Sequence, residues 1–358
     1  MAELELDAAL LSVGADLPWL TGYTAMPLER LTMLVLPRNS PATLVVPRLE
    51  APRVEPVEDL FAVRPWEETD DPIAVVAALL EASDAGARAP RLAVSDRTWA
   101  AFVLRLQDAL PGARWTPAST VTGPLRAVKD EAEVGALARA GAAADRVAAQ
   151  LIGGEIRLIG RTEADVSREI GDRLRAEGHQ AVNFAIVASG PNSASPHHDA
   201  GDRVIRPGEA VVCDFGGTLD GYCSDITRTV FTGPPPGEYE EVYEVVRAAQ
   251  AAGVAAARAG TAAEAVDATS RARIADAGYG EFFIHRTGHG IGREEHEDPY
   301  LVRGNRIALR PGHAFSVEPG IYLPGRFGVR IEDIVVVAGD GSPRPLNQAD
   351  HALAVVEA

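Results

Sequence analysis

The spacing of apolar positions divides the chain into a first third of short alternating segments and a longer remainder of paired helices and strands. In the first third, residues 9–13, 31–36 and 42–46 read as strands, short apolar runs closed by Pro37, Pro41 and Pro47. Apolar residues recur at helical spacing over 71–83 and 99–110, with a strand at 92–94 between them. A mixed α/β module follows from this pattern. It holds no GxGxxG, no P-loop and no metal-ligand cluster, so a scaffolding or substrate-covering role is expected. Residues 117–124, bounded by Pro117 and Pro124, read as a linker, which predicts an N-terminal domain at 1–122 and a second domain at 123–358.

Beyond the linker the period lengthens. Residues 125–131 lead into an alanine-rich amphipathic helix ending near Gly153, and Thr162 with Asp165 forms a capping-box pattern that opens a second helix through Arg175. A strand from Val182 then runs into a Gly/Ser/Asn/Pro loop carrying His197 and His198. A second helix pair, 238–259 and 262–276, precedes β-like runs around 285–289, 313–318 and 329–337. Two helices, a loop strand and a hairpin thus occur twice, which suggests a duplicated half-domain without a recognisable sequence repeat.

Length and composition narrow the class. The chain has 358 residues, 46% hydrophobic and 24% charged, as expected of a globular protein of about two domains. A formal net charge of −17 argues against nucleic acid or an anionic membrane as partner. Residues 1–16 show neither the basic region nor the apolar run of a signal peptide, and no apolar stretch reaches the ~18 residues of a spanning helix. The two cysteines, Cys213 and Cys223, are too few for a disulfide framework and read as small core residues, so a cytoplasmic location is expected.

Candidate chemistry gathers in the second half, around VVCDFGGTLDGYCSDITR at 211–228. Read as a β-hairpin, this stretch places Val212 and Asp214 on one face of the first strand, and Asp225, Thr227 and Thr229 on one face of the return strand. An acid ending an apolar strand is costly unless its charge is matched, and two on paired strands can share a cation. Further on, HRTGHGIGREEH holds His285, His289 and His296, FSVEPGIY holds Glu318, and GVRIED holds Arg330, Glu332 and Asp333. Gly288 and Gly290 argue against a metal-binding helix and for an extended backbone in close approach to something else. Arg330 and Glu332, two apart, are expected on one face of one strand. Asp214, Asp225, His289, Glu318 and Glu332 make four carboxylates and one imidazole near strand ends. Buried together they would take up protons unless cations held them. Such a ligand set suits Mn²⁺, Co²⁺, Fe²⁺ or Zn²⁺, and bridging carboxylates let five ligands hold two ions about 3.5–4 Å apart.

These segments, in this order, resemble those of the Xaa-Pro metallopeptidases, prolidase and aminopeptidase P, of the pita-bread family that includes methionine aminopeptidase and creatinase. The N-terminal module, with GADLPWLTGY, resembles the first domain of prolidases, aminopeptidase P and creatinase. The resemblance implies an α/β N-terminal domain followed by an α+β pita-bread catalytic domain. It implies two divalent ions, Mn²⁺ foremost, with Asp214 and Asp225 on one, His289 and Glu318 on the other, and Asp225 and Glu332 bridging. It further implies that His197 lines the site, that His285 and His296 contact substrate and the tetrahedral intermediate, and that Arg330 braces the metal carboxylates. Glu318 would shuttle the proton to the leaving imino nitrogen, while His198 and Asp333 are left with structural roles. The implied substrate is a proline-containing peptide, and the implied assembly a homodimer.

The dipeptidase and aminopeptidase branches share every metal ligand. A dipeptidase needs a cation for the free carboxylate after proline, and Arg303 and Arg30 are the candidates, which inclines the expectation toward Xaa-Pro dipeptides. A metal-free creatinase-like enzyme or a binding scaffold on the same fold is the alternative, but those branches typically lose metal carboxylates, and all five ligand positions are filled here. Few residues precede the first strand, where many relatives carry an additional helix.

Overall fold

The computed structural model describes residues 1–83, 85 and 89–357, so Ala358, at the end of the expected second domain, lies outside the described residues. The chain forms two compact units, Met1–Leu125 and Arg126–Ala358. In the first, the elements run β1 (Ala8–Leu11), α1 (Asp16–Thr21), β2 (Met33–Pro37), β3 (Ala42–Pro47), β4 (Phe61–Trp66), α2 (Pro72–Glu81), β5 (Arg91–Val94), α3 (Ala100–Ala109), β6 (Arg114–Pro117) and α4 (Ser119–Arg126). The strands make one mixed sheet in the order β4-β3-β2-β1-β5-β6, with apolar clusters around Leu11, Leu34 and Leu44 and around Leu10, Met33 and Val45. Asp71 starts α2 by accepting a hydrogen bond from the Ile73 N–H, and Pro72 sits where no intrahelical N–H is needed. The three expected strands, 92–94 and both helices are present to within two residues at most ends.

The expected linker at 117–124 is instead α4. Its two prolines suggest a loop, but Asp96 accepts from both the N–H and the hydroxyl of Ser119, at 3.0 and 2.6 Å. That anchor lies 23 residues away in sequence, so no local pattern reveals it. The chain before β1 carries only a 3₁₀ turn, Ala2–Leu4.

The second unit runs α5 (Glu131–Ile152), α6 (Glu163–Ala176), β7 (Ala181–Ser189), β8 (Ala210–Leu219), β9 (Tyr222–Cys223), β10 (Ile226–Thr232), α7 (Gly237–Ala256), α8 (Ala263–Asp276), β11 (Gly288–Gly290), β12 (Glu297–Leu301), β13 (Ala314–Val317), β14 (Gly320–Leu323), β15 (Phe327–Arg330), β16 (Asp333–Val337), β17 (Pro343–Pro345) and β18 (Ala354–Val356). A reciprocal capping box of Asp130 and Glu133 opens α5. Only half of the expected box opens α6, where Thr162 accepts from the Asp165 N–H. The duplicated plan is visible in the sheets. The antiparallel order β10-β8-β7 of one is matched by β16-β13-β11 of the other. Leu151, Ile170 and Leu174 pack on Val211, Cys213 and Phe215 in the first half, while Ala257, Val266, Phe315 and Val335 form the equivalent core of the second. A bridge between Thr227 and Glu332 joins β10 to the chain entering β16. Both cysteines are free and buried, as expected.

Candidate metal centre

Strand alternation delivers the first acids. In the β8–β10 pairing Asp214 stands opposite Thr227 and Val212 opposite Thr229. Their neighbours Cys213 and Phe215 belong to the core packed by α5 and α6. One face of β8 is therefore held down by apolar contacts while the other presents Asp214, and Asp225 follows one residue ahead of β10.

Opposite them, β11 places His289 between Gly288 and Gly290. A Cβ on Gly288 would lie 1.9 Å from the Ser316 carbonyl oxygen, and one on Gly290 would lie 2.3 Å from that of Asp298. The close approach expected of these glycines is thus to flanking strands. The His289 N–H donates to Ser316 Oγ at 3.0 Å, and that hydroxyl donates to Glu318 Oε1, also at 3.0 Å. One residue of β13 so ties the His289 backbone to the Glu318 side chain. His289 Nε2 lies 3.4 Å from Glu318 Oε1 and 3.6 Å from Asp225 Oδ2.

Arg330 and Glu332 do not share a strand. Arg330 ends β15, opposite Gly320, whereas Glu332 bridges to Thr227 before β16 begins in another sheet. Ile331 between them is buried with Val246 and Ile321, which turns the chain between the two sheets. Both still face the same cavity. Arg330 donates to Asp214 Oδ2 at 2.6 Å, to Thr227 Oγ1 at 3.1 Å and to the Tyr322 hydroxyl at 2.8 Å. The Thr227 hydroxyl in turn donates to Glu332 Oε2 at 2.7 Å.

Asp214, Asp225, His289, Glu318, Glu332, His197, His285, His296 and Arg330 all line one cavity of about 260 Å³, with Phe184, Ile186 and Pro196 as apolar wall. Arg286, which the sequence reading passed over, lines it too. Arg303 does not. It is exposed on the turn after β12, so the expected candidacy of Arg303 as the carboxylate-binding cation finds no support in the cavity lining. Arg30 belongs to the first unit, where Glu29 and Glu50 already match its charge at 3.1 and 3.3 Å. Tyr322, also passed over, accepts from Arg330 and meets His285 Nε2 at 2.8 Å. His285 Nδ1 lies 2.7 Å from the Arg286 carbonyl, which can only accept, so Nδ1 carries the proton and Nε2 accepts from Tyr322.

The electrostatics ask for cations. Burial, followed by the charges of Glu332 and Asp214, pushes the Asp225 carboxyl well above its ordinary range. Burial and then Glu318 do the same to Glu332. Glu318 is raised by burial to about 7 even though Arg330 opposes the shift. His289 is driven down to about 3 by burial and then His296, which leaves it a neutral ligand-type imidazole. Asp214 Oδ1 and Asp225 Oδ1 are buried with no hydrogen-bond partner among the described residues. Asp225, His289 and Glu332 offer ligand atoms all within 4.8 Å of one another. Orphaned carboxylate oxygens beside a neutral imidazole fit a divalent metal site.

A duplicated helix-and-sheet catalytic unit with a carboxylate–histidine cavity defines a metal-dependent hydrolase class, and the relatives specify it. The description of metallopeptidase family M24 matches residues 135–338, and that of the creatinase/prolidase N-terminal domain matches residues 1–128. A protein described as probable dipeptidase PepE of Mycobacterium tuberculosis is 46% identical over 99% of this chain and 93% of its own length. An Xaa-Pro dipeptidase of Lactobacillus helveticus is 36% identical over 94% of this chain and 91% of its own. The crystal structure of a recombinant prolidase from Thermococcus sibiricus superposes with a TM-score of 0.92 at 38% identity, covering 100% of this chain and 96% of that one. This chain is a peptidase of metallopeptidase family M24, with the α/β N-terminal and pita-bread catalytic domains expected from its sequence.

Proposed function

We propose that this chain is a two-metal hydrolase that cleaves the Xaa-Pro bond of dipeptides. The observation that carries the reading is the convergence of five ligand-type side chains, two with orphaned buried oxygens, on a cavity lined also by a buried cation, Arg330, and an exposed one, Arg286. Asp214 and Asp225 would hold one ion and His289 and Glu318 the other, with Asp225 and Glu332 shared. Bound there, the ions would polarise the scissile carbonyl and lower the pKa of an attacking water.

The remaining work falls to the protein. Glu318 moves the proton from the water to the leaving imino nitrogen. Arg330 keeps Asp214 and, through Thr227, Glu332 oriented as acceptors. Both nitrogens of His285 are engaged by neighbours, which leaves His296 to donate to the developing oxyanion. Phe184, Ile186 and Pro196 supply apolar wall for a proline ring, whose imide nitrogen has no N–H to recognise. Arg286, in place of Arg303, is the cation for the carboxylate after proline. Mn²⁺ is the foremost metal, the cytoplasm the expected compartment, and the assembly a homodimer, which light scattering at twice the 37.8 kDa chain mass would register.

The test is a chain-length series on chelated and Mn²⁺-reloaded protein. Chelation should abolish activity and Mn²⁺ or Co²⁺ restore it, with Xaa-Pro cleaved far faster than Xaa-Pro-Yaa. Full activity without metal refutes the two-metal mechanism. Equal or faster cleavage of the tripeptide moves the assignment to aminopeptidase P.

A further inference from the structure

Glu163 is the first residue of α6, and its side chain is 0% exposed. A buried carboxylate demands hydrogen-bond donors, and among the described residues those of Glu163 all come from residues 189–198, the segment that leaves β7. Ser189 donates to Oε1 through both its N–H and its hydroxyl at 2.7 Å, Asn192 Nδ2 lies 3.1 Å from each oxygen, and His198 Nε2 lies 2.8 Å from Oε2. Burial alone would raise this carboxyl, but the bonds outweigh it and hold Glu163 below the ordinary range. The charge thus stays on Glu163 and the segment stays on the charge.

The same segment is held from the other side. Gly328 donates to Ser193 Oγ at 2.8 Å, and Arg330 donates to the Pro196 carbonyl at 3.3 Å. Between these anchors stands His197, exposed in the cavity wall, whose own ring has no hydrogen bond among the described residues. Its direction is therefore set by its neighbours: Pro196, gripped by Arg330, and His198, gripped by Glu163.

We infer that Glu163 and His198 are positioning residues whose hydrogen bond aims the His197 imidazole at the substrate. This rests on the peptidase reading above, with His197 lining the same cavity as the ligand-type side chains. Neither residue touches the reacting atoms. A small error in aim is costly at a reacting centre, where a displacement of about 1 Å can lose ~100-fold in rate.

A double-mutant cycle on the full-length, metal-loaded enzyme tests it, with kcat and KM on an Xaa-Pro dipeptide, metal content and melting temperature measured throughout. His198→Leu should lower kcat/KM by about 10–100-fold, with metal content unchanged and the enzyme still folded at the assay temperature. In a His197→Ala background the same change should do nothing further, because the side chain it aimed is gone. His198→Gln, which keeps a donor within reach of Glu163, should restore most of the loss. If His198→Leu folds poorly, His198→Asn, too short to reach Oε2, takes its place in the cycle. Equal loss in both backgrounds, no loss in the parent, or a fully active His197→Ala enzyme would overturn the positioning role while the peptidase reading stands. An unmutated chain inactive on every Xaa-Pro peptide overturns that reading, and this one with it.

Discussion

His285 shows how far a residue's role depends on its partners. In sequence it is one of three histidines in HRTGHGIGREEH, expected with His296 to contact substrate. In the folded chain burial and then Arg330 drive it down to about 3, and both nitrogens are bound, so it stays neutral and faces Tyr322. His296, whose ring is tilted 33° to that of His289 with centroids 3.9 Å apart, is the histidine proposed to donate to the oxyanion. His296→Ala should therefore lower kcat by about 100-fold, the scale of a lost oxyanion donor, while metal content stays near that of the parent. Loss of metal in that variant would make His296 a ligand instead. Arg286 is legible in the same motif but unmarked there. Its guanidinium lies 4.6 Å over the Tyr300 ring, a placement that leaves it at the cavity wall. Arg286→Ala should raise KM for a dipeptide by ~10–100-fold, about 1.5–3 kcal/mol for a hydrogen bond to a charged group, with kcat little changed. Arg303→Ala should leave both constants as they are. The reverse pattern would return the carboxylate site to the β12 turn.

At the scale of elements, β11 is the one the site tolerates least change in. Three residues long, it is threaded between β12 and β13, with glycines on both sides of His289. A methyl group on Gly288 meets backbone oxygen, which cannot rotate away as a flexible side chain would. Gly288→Ala should destabilise the fold by roughly 1–3 kcal/mol, the cost of overpacking, and release metal as His289 is displaced. Thermal unfolding and metal analysis check both. A variant with the parent's melting temperature and metal content would mean that β11 gives way without cost. The α4 correction carries the complementary lesson. Helices that cap themselves, such as α5 with Asp130 and Glu133, are legible locally, whereas α4 depends on Asp96 from a distant turn.

For the whole molecule, the catalytic unit closes around four carboxylates, and its proton balance follows from that. Glu318 rises from 4.5 to about 7 on folding, and Asp225 and Glu332 rise as well. A folded pKa above the unfolded one contributes stability that is full below the unfolded value and lost as pH climbs through the folded value. For Glu318 that window is pH 4.5 to about 7. His285 and His289 have the opposite sign. Depressed from 6.5 to about 3, their contribution is lost as pH falls from 6.5 to about 3. The difference in melting temperature with and without Mn²⁺ isolates the carboxylates that the cation must strip of protons. That gain should grow from pH 5 to pH 7.5 or above, with protons released on metal addition. A gain that is flat or shrinking with pH would sink the assignment of these acids as ligands.

The sequence by itself determined which residues could be ligands and on which face they fall. Alternation along β8 and β10, punctuation by glycine and proline, and the unmatched charge of acids in apolar runs are local properties, readable without a third dimension. That is why Asp214, Asp225, His289, Glu318 and Glu332 were legible together. What the tertiary structure alone decided are relations between segments far apart in the chain. Examples are the Thr227–Glu332 bridge that joins the two halves, the break at Ile331 that separates Arg330 from Glu332, and the choice of Arg286 over Arg303 at the cavity. The grip of Glu163 on residues 189–198 is another. A hydrogen bond between residues 26 positions apart, as Glu163 and Ser189, or 105 apart, as Thr227 and Glu332, leaves no periodicity behind. Its partners are chosen by packing, since a buried donor or acceptor must find whatever complementary group the fold brings within reach.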